Sequence, residues 1–415
     1  MNGTMNSNLM TPTERRASGT LASIFALRML GMFLVLPVFA IEAARYPGGT
    51  DASLVGLTMG LYGLTQAALQ LPFGLASDRL GRKRVIVAGL LVFAVGSFVA
   101  GAADSLQGLM IGRALQGAGA VSAAVTALLA DLTRDSVRTK SMALVGASIG
   151  LMFALSLVAA PLLNSFMGLP GLFVLTGILA LIGIAVVIWA VPQEPAKHAD
   201  IPRGGLGQVL RNPALIRMNV GVFILHTVQM AMWLALPAML VEAGIAKEHH
   251  WWVYLPAVLA SFVVMGMTLF PLEKRGYLRA VFLVAIGTVA LVQLGLLGVA
   301  SGLAHSAPGL RLICLSTLLF LFFCGFNVLE ASQPSLVSKL SPAHAKGAAM
   351  GVYNTLMSFG LFAGGAMGGL VVKGYGVTGL FLTCAVLMGL WLLVAWPMRQ
   401  PTPPTPTTSP EQVAA

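Results

Sequence analysis

The sequence predicts an all-α polytopic membrane protein, with twelve transmembrane helices arranged as two pseudo-symmetric six-helix bundles. Three observations carry that prediction. Of 415 residues, 57% are hydrophobic and only 9% are charged, against about a quarter charged in an ordinary soluble domain. Apolar runs of roughly 20 residues, the length that crosses about 30 Å of hydrocarbon as helix, recur along nearly the whole chain. Lys and Arg are segregated to one side of those runs, as the positive-inside rule requires.

Taken in order, the runs are 21–43, 54–76, 85–103, 106–130, 141–163, 171–191, 215–241, 251–271, 280–300, 310–336, 347–372 and 377–396. No ten-residue blocks of alternating polarity occur, so a barrel is excluded and the backbone hydrogen bonds must close inside helices. With the N-terminus in the cytoplasm, 19 of the 25 Lys and Arg fall in inner segments. Four lie outside (Arg45, Lys247, Arg311, Lys373) and two, Arg28 and Arg113, lie within spans. This distribution places both termini in the cytoplasm and accounts for the net charge of +11 without a nucleic-acid partner. A multi-pass protein of the cell inner membrane is expected, its first span too long and too charged for a cleavable signal peptide. Cys314, Cys324 and Cys384 fall inside apolar spans without metal-ligand spacing and read as small buried hydrophobes. No metal and no cofactor is expected.

The longest polar stretch, 192–213, divides the spans six and six and is too short to be a domain. The expected units are 1–191, a linker 192–213, 214–398, and a Pro/Thr-rich tail, 399–415, whose composition cannot pack a core. The basic loop after the second span has an echo after the eighth, in Glu273, Lys274, Arg275 and Arg279, as a duplicated six-helix unit would leave.

The segment "GLASDRLGRKRV" between the second and third spans holds one acid and four bases. Topology explains Arg79, Arg82, Lys83 and Arg84 but not Gly74, Asp78 and Gly81. Those seven residues resemble the G-x-x-x-D-R-x-G-R-K-R signature of the major facilitator superfamily. A second match lies in the fourth span, where Arg113, Gln116 and Gly117 fit that family's R-x-x-Q-G signature. Within the superfamily the chain looks closest to the drug:proton antiporters. The members it most resembles in 15–38 and 112–135 carry a soluble domain after the twelfth span, and none is expected after this Pro/Thr tail. The resemblance implies alternating access, a pairing of Arg82 with Asp131, and a part for Arg113 in proton coupling or in holding a first-span carbonyl. Helix packing at Gly74 and a carboxylate at Asp78 facing the start of the eleventh span, with Ser341 as N-cap and Pro342 at N1, would form a latch on the inner face.

The chain departs from the antiporter pattern in the fifth span. Pro161 is kept, but Ala147, Ser156 and Ala160 stand at glycine positions, with Asn164 and Ser165 after them. Small residues preserve close packing, so a hinge is still expected there.

Ionisable groups at membrane depth are costly and therefore mark function. Arg28 is placed about two turns into the first span, Arg113 in the outer half of the fourth, His226 near the middle of the seventh and Glu330 in the inner half of the tenth, with Glu42 at the outer rim. Glu330 is the preferred proton carrier, because burial raises a carboxyl pKa. His226 titrates in a useful range, and Arg113 can force a nearby carboxyl to release its proton. Arg28 reads either as a substrate counter-charge or as part of an internal network. Tyr62, Gln66 and Gln70 recur every four residues on the second span and line either a cavity or a helix contact. Trp233, Asn327, Tyr353 and Asn354 are further cavity candidates. Gly360, Gly364 and Gly368 read as helix packing.

The expected function is secondary transport by a monomer, foremost proton-coupled efflux of amphipathic small molecules, with proton-coupled metabolite uptake as the alternative. A membrane sensor without transport would need a partner-binding domain. No phosphate-binding G-x-x-x-x-G-K-[ST] loop, His/Glu metal motif or G-x-S-x-G elbow is present, so a primary pump or an enzyme is not expected.

Overall fold

The computed structural model describes residues 9–194, 206–302, 308–342 and 345–398; the expected tail lies outside them. Its helices are α1 (Pro12–Ala43), α2 (Ala52–Leu80), α3 (Arg82–Gly101), α4 (Leu106–Ala118), α5 (Ser122–Asp131), α6 (Asp135–Ala185), α7 (Leu206–Arg211), α8 (Pro213–Glu242), α9 (Trp251–Lys274), α10 (Leu278–Ala300), α11 (Pro308–Leu340) and α12 (Lys346–Ala395). Among the described residues ten helical stretches are long and apolar enough to cross a membrane, α4 and α5 together counting as one. Two of them, at 51 and 50 residues, are far longer than one crossing needs.

Those two double back. Side chains of α6 bond to successive levels of α1: Ser148 to the carbonyl of Ala22, Asn164 to Glu42, then Thr176 to the carbonyl of Gly31. The chain thus climbs α1 and returns, and Arg16 at the start of α1 meets the carbonyl of Ala190 beyond the end of α6. The turn is Gly168, with φ 65° and ψ −179°, a conformation that only glycine adopts without strain. In α12, Gly360 and Gly364 lie on Phe223 and Thr227 of α8, and Trp391 returns to Gly221. Its reversal is Gly376, with φ 66° and ψ −171°. Ten stretches therefore make the twelve crossings, and the matching reversals relate the two halves by pseudo-symmetry. The packing role read for Gly360, Gly364 and Gly368 is what the structure shows, since a Cβ at each would press on α8.

We call inner the end that carries the basic loops and the first described residues, and outer the opposite one. The apolar core is divided along this axis. Leu34, Val38 and Phe39 of outer α1, with Val55 and Met59 of α2, belong to one core with the C-terminal half. Leu21, Phe25, Ile86, Phe93, Leu128 and Val187, nearer the inner end, form a separate core within the N-terminal half. The halves are fused at the outer end and pack apart toward the inner one.

Three sequence expectations change. α1 begins at Pro12, after the Thr11 cap, so Arg28 sits at its midpoint rather than two turns from its start. The fourth crossing breaks between Ala118 and Ser122, where Gly119 lies against the Gly89 carbonyl and a Cβ would meet Phe93. The helix after Pro342 starts only at Lys346, with Ala345 at its N-cap, and the Ser341 hydroxyl turns back to the carbonyl of Val337.

Candidate functional site

Two polar clusters stand at membrane depth, one in each half. In the N-terminal half the Arg28 guanidinium, only 1% exposed, donates to Ser122 Oγ at 2.7 Å, Tyr62 Oη at 2.8 Å and Gln66 Oε1 at 3.1 Å. Arg113 donates to Gln116 Oε1 at 3.0 Å and to the Met59 carbonyl at 3.4 Å, and its guanidinium lies 4.9 Å from the Tyr62 ring centroid. Gln116 passes its own amide hydrogen to Ser97. Tyr62 therefore bridges both cations, hydroxyl to one and ring to the other. Gly117 is fixed by the same crossing, because a Cβ there would strike Tyr62 and Thr65. Gln70, one turn further along the stripe, is buried with both amide atoms unpartnered.

In the C-terminal half, His226 at the middle of α8 faces Glu330 of α11, Nε2 to Oε2 at 3.5 Å. His226 Nδ1 lies 2.9 Å from the Val222 carbonyl. That oxygen can only accept, so Nδ1 carries the hydrogen and the lone pair of the neutral ring is on Nε2, toward Glu330. The Glu330 side chain remains 39% exposed. Tyr353 Oη donates to Gln333 Oε1 at 3.5 Å, leaving the buried Gln333 Nε2 without a partner. Asn327 donates to Ser261 on α9, Trp233 packs edge-on against Tyr254, and Asn354 is partly exposed on α12. Between the clusters, Phe153 of α6 touches Phe33, Phe323 and Phe326, and Phe326 meets the His226 ring.

At the inner end the signature loop is braced within one half. Arg82 pairs with Asp78 at 2.5 Å and with Asp131 at 3.0 Å, and bonds Ser77. Gly81 needs its residue type for a φ of 102°, whereas Gly74 makes only an ordinary contact with Ala123. Glu194, which sequence reasoning missed, accepts from the backbone N–H of Arg82 and Lys83 and so caps α3. The recess beside it, about 560 Å³ and lined by Arg79, Lys83, Arg84 and Glu194, lies between the signature loop and the start of the linker and takes no residue from the C-terminal half.

The outer end carries ties between the halves that the sequence reading did not single out. Lys247 donates to buried Glu42 at 2.5 Å, and Lys373 to Asp51 at 2.7 Å. Asn164, which departs from the family pattern, donates to the same Glu42 at 3.0 Å. Of the hinge candidates, Ser156 bonds the Phe153 carbonyl within α6, Ala160 and Pro161 are buried, and Ala147 is exposed. Backbones touch where α2 crosses α12: a Cβ on Gly60 would lie 2.6 Å from the Phe362 carbonyl, and Gly56 sits against Gly365 and Gly369. The spacing of Gly56 and Gly60 is the small-x-x-x-small signal that could have revealed this crossing.

The Major Facilitator Superfamily model matches residues 21–364 and 271–414. The chain is 42% identical over 401 residues to the inner membrane transport protein YajR of Escherichia coli, covering 96% of this chain and 86% of that one. It is 28% identical to the multidrug resistance protein MdtH of Cronobacter sakazakii, over 82% and 83% of the two chains. Among solved structures it resembles the human organic anion transporter MFSD10, with a TM-score of 0.67 at 18% identity, covering 93% and 100%.

Proposed function

The chain belongs to the Major Facilitator Superfamily, and on that premise we propose that this transporter couples the passage of amphipathic small molecules to protons by alternating access. The observation that carries the reading is the His226–Glu330 pair: an imidazole lone pair and a carboxylate 3.5 Å apart, at membrane depth, still partly open to solvent. A proton held between them removes the only carboxylate charge at this depth of α11, and charge neutralisation eases the passage of such a group through a closing interface. Arg113 and its Tyr62 stack hold α1, α2 and α4 in register on the other side. The central path runs between the two clusters, past Tyr62, Gln66 and Gln70 on one half and Gln333, Tyr353 and Asn354 on the other.

In this reading the inner end faces the cytoplasm, as the basic loops demand, and the structure is the inward-facing state. The 74–84 loop with Asp131 serves as the inner latch in the opposite state, when α12 swings toward Asp78, and α6 around Ala147, Ser156, Ala160 and Pro161 flexes in the exchange. The working unit is the single chain. Two couplings fit the proton pair. Exchange of substrate for protons is favoured by the likeness to a multidrug resistance protein. Co-transport is favoured by the two buried guanidiniums of the N-terminal half, toward which an anion and a proton would load together.

Proteoliposomes with an internal pH dye, given a panel of lipophilic cations, anions and sugars, test this. A substrate-evoked proton flux that is lost in Glu330→Gln is expected; flux opposite to the substrate marks exchange, and flux with it marks co-transport. Flux that persists in Glu330→Gln, or none with any compound, would remove the proton pair from the mechanism.

A further inference from the structure

The membrane interior of the N-terminal half is cationic and without an acid. Its carboxylates, Glu14, Glu42, Asp51, Asp78, Asp104, Asp131 and Asp135, all lie at or near helix ends. Arg28 and Arg113 lie between them, 1% and 2% exposed, and the hydrogen-bond partners found for both are neutral. The Nε of each is buried and unpartnered. A buried guanidinium without a counter-charge is expensive, so the fold holds a positive potential here that something else must meet. Glu330, in the C-terminal half, lies 3.5 Å from His226, and neither Arg28 nor Arg113 forms an ion pair with it.

Amide donors without acceptors lie in both halves, and the unpartnered Gln70 amide, whose oxygen is equally free, can turn its N–H toward an anion. Gln66 gives its Oε1 to Arg28, which leaves its amide N–H to donate and carries the polarisation of the guanidinium outward. Gln70 Nε2 and Gln333 Nε2 are both buried without an acceptor. Leu71 of α2 lies against Gly351 of α12, which sets Gln70 and Tyr353 at about one level on opposite halves. Close by, Phe33, Phe153 and Phe326 offer an apolar surface.

We infer that the central path selects amphipathic anions, compounds with an apolar body and one carboxylate or sulfonate, and that Arg28 is the residue that sets this charge preference. The anionic group is met by the amide donors of Gln66, Gln70 and Gln333, with Arg28 behind Gln66 supplying the charge. Because an anion and a proton on the His226–Glu330 pair favour each other, a substrate of this class moves together with the proton. The inference rests on the reading of this path as the transport site, though not on the coupling direction proposed for any other substrate.

The test is equilibrium binding to the full chain in neutral phosphatidylcholine nanodiscs, empty discs subtracted, with 4-pyrenebutanoate and its trimethylammonium counterpart as probes. The pair shares one apolar body and differs in charge. The anion should bind tighter than the cation by on the order of a hundredfold, because one unit charge about 10 Å away at an effective dielectric constant of about 20 shifts each probe by roughly tenfold in opposite directions. Arg28→Gln should lower anion affinity and raise cation affinity, each by a similar factor, and Arg28→Lys should keep the wild-type order. A wild-type protein that binds the cation as well as the anion, or an Arg28→Gln protein with an unchanged ratio, overturns the inference while leaving proton-coupled flux standing. Binding of neither probe overturns both the inference and the assignment of the path.

Discussion

Gly365→Ala should open the outer end of the protein. A Cβ at this position lands on the Gly56 carbonyl and lies 2.7 Å from Gly60 N and 2.8 Å from Gly60 Cα. Carbon contacts are comfortable only at about 3.5–4.0 Å, so α2 and α12 must part by roughly 1 Å. All three obstructing atoms are backbone, and no side chain can swing aside to absorb the methyl group. Overpacking of this kind costs about 1–3 kcal/mol. The whole of it falls on the outer-closed state, because the two helices separate when the halves rock open. The ratio of outer-open to outer-closed molecules should therefore rise by about 5- to 150-fold. Spin labels at Thr50→Cys and Ala246→Cys, on outer loops of opposite halves, report that ratio by pulsed dipolar spectroscopy once Cys314, Cys324 and Cys384 are replaced by Ala. Gly287→Ala is the control, since its Cβ meets nothing within 4 Å. A distance distribution for Gly365→Ala that matches the control would refute the glycine crossing as the outer seal.

The same labels test the inner loop: with Asp78 removed as a latch for the opposite state, Asp78→Asn should enlarge the outer-closed population, and an unaltered ratio would exclude that role. The second outer tie gives a pH prediction. The hydrogen bond from Lys373, and then that from Ser53, hold the Asp51 carboxyl well below the usual carboxylate range. A depressed folded pKa means that the stabilisation is complete above the ordinary aspartate value of about 3.9 and is lost only as pH falls through the lowered one. Carboxyl NMR of labelled Asp51 should accordingly show no titration from pH 7 down to about 4, whereas in Lys373→Met the titration should move up toward the ordinary value, short of it because the Ser53 bonds remain; wild-type titration above pH 4 would contradict the tie.

Much of this protein is determined by local sequence. Span length and the one-sided Lys and Arg follow from the cost of placing backbone and charge in hydrocarbon, which each segment meets by itself. For the same reason Arg28, Arg113, His226 and Glu330 stood out, and the Arg82–Asp131 pair was legible through the family signature. Partnership between distant segments was not legible. That Glu330 meets His226 rather than Asn327 or Gln333, its own neighbours on the helix, depends on how α8 and α11 rotate against each other. That Asn164 and Lys247 converge on Glu42 depends on α6 climbing beside α1 to the outer end and on the two halves meeting there, and the reversal at Gly168 that follows reads in the sequence as one more glycine among 47. Only the tertiary structure decided which end is sealed, because a seal made of glycine backbones and two lysine–carboxylate ties is a property of two halves in contact, and no single segment carries it.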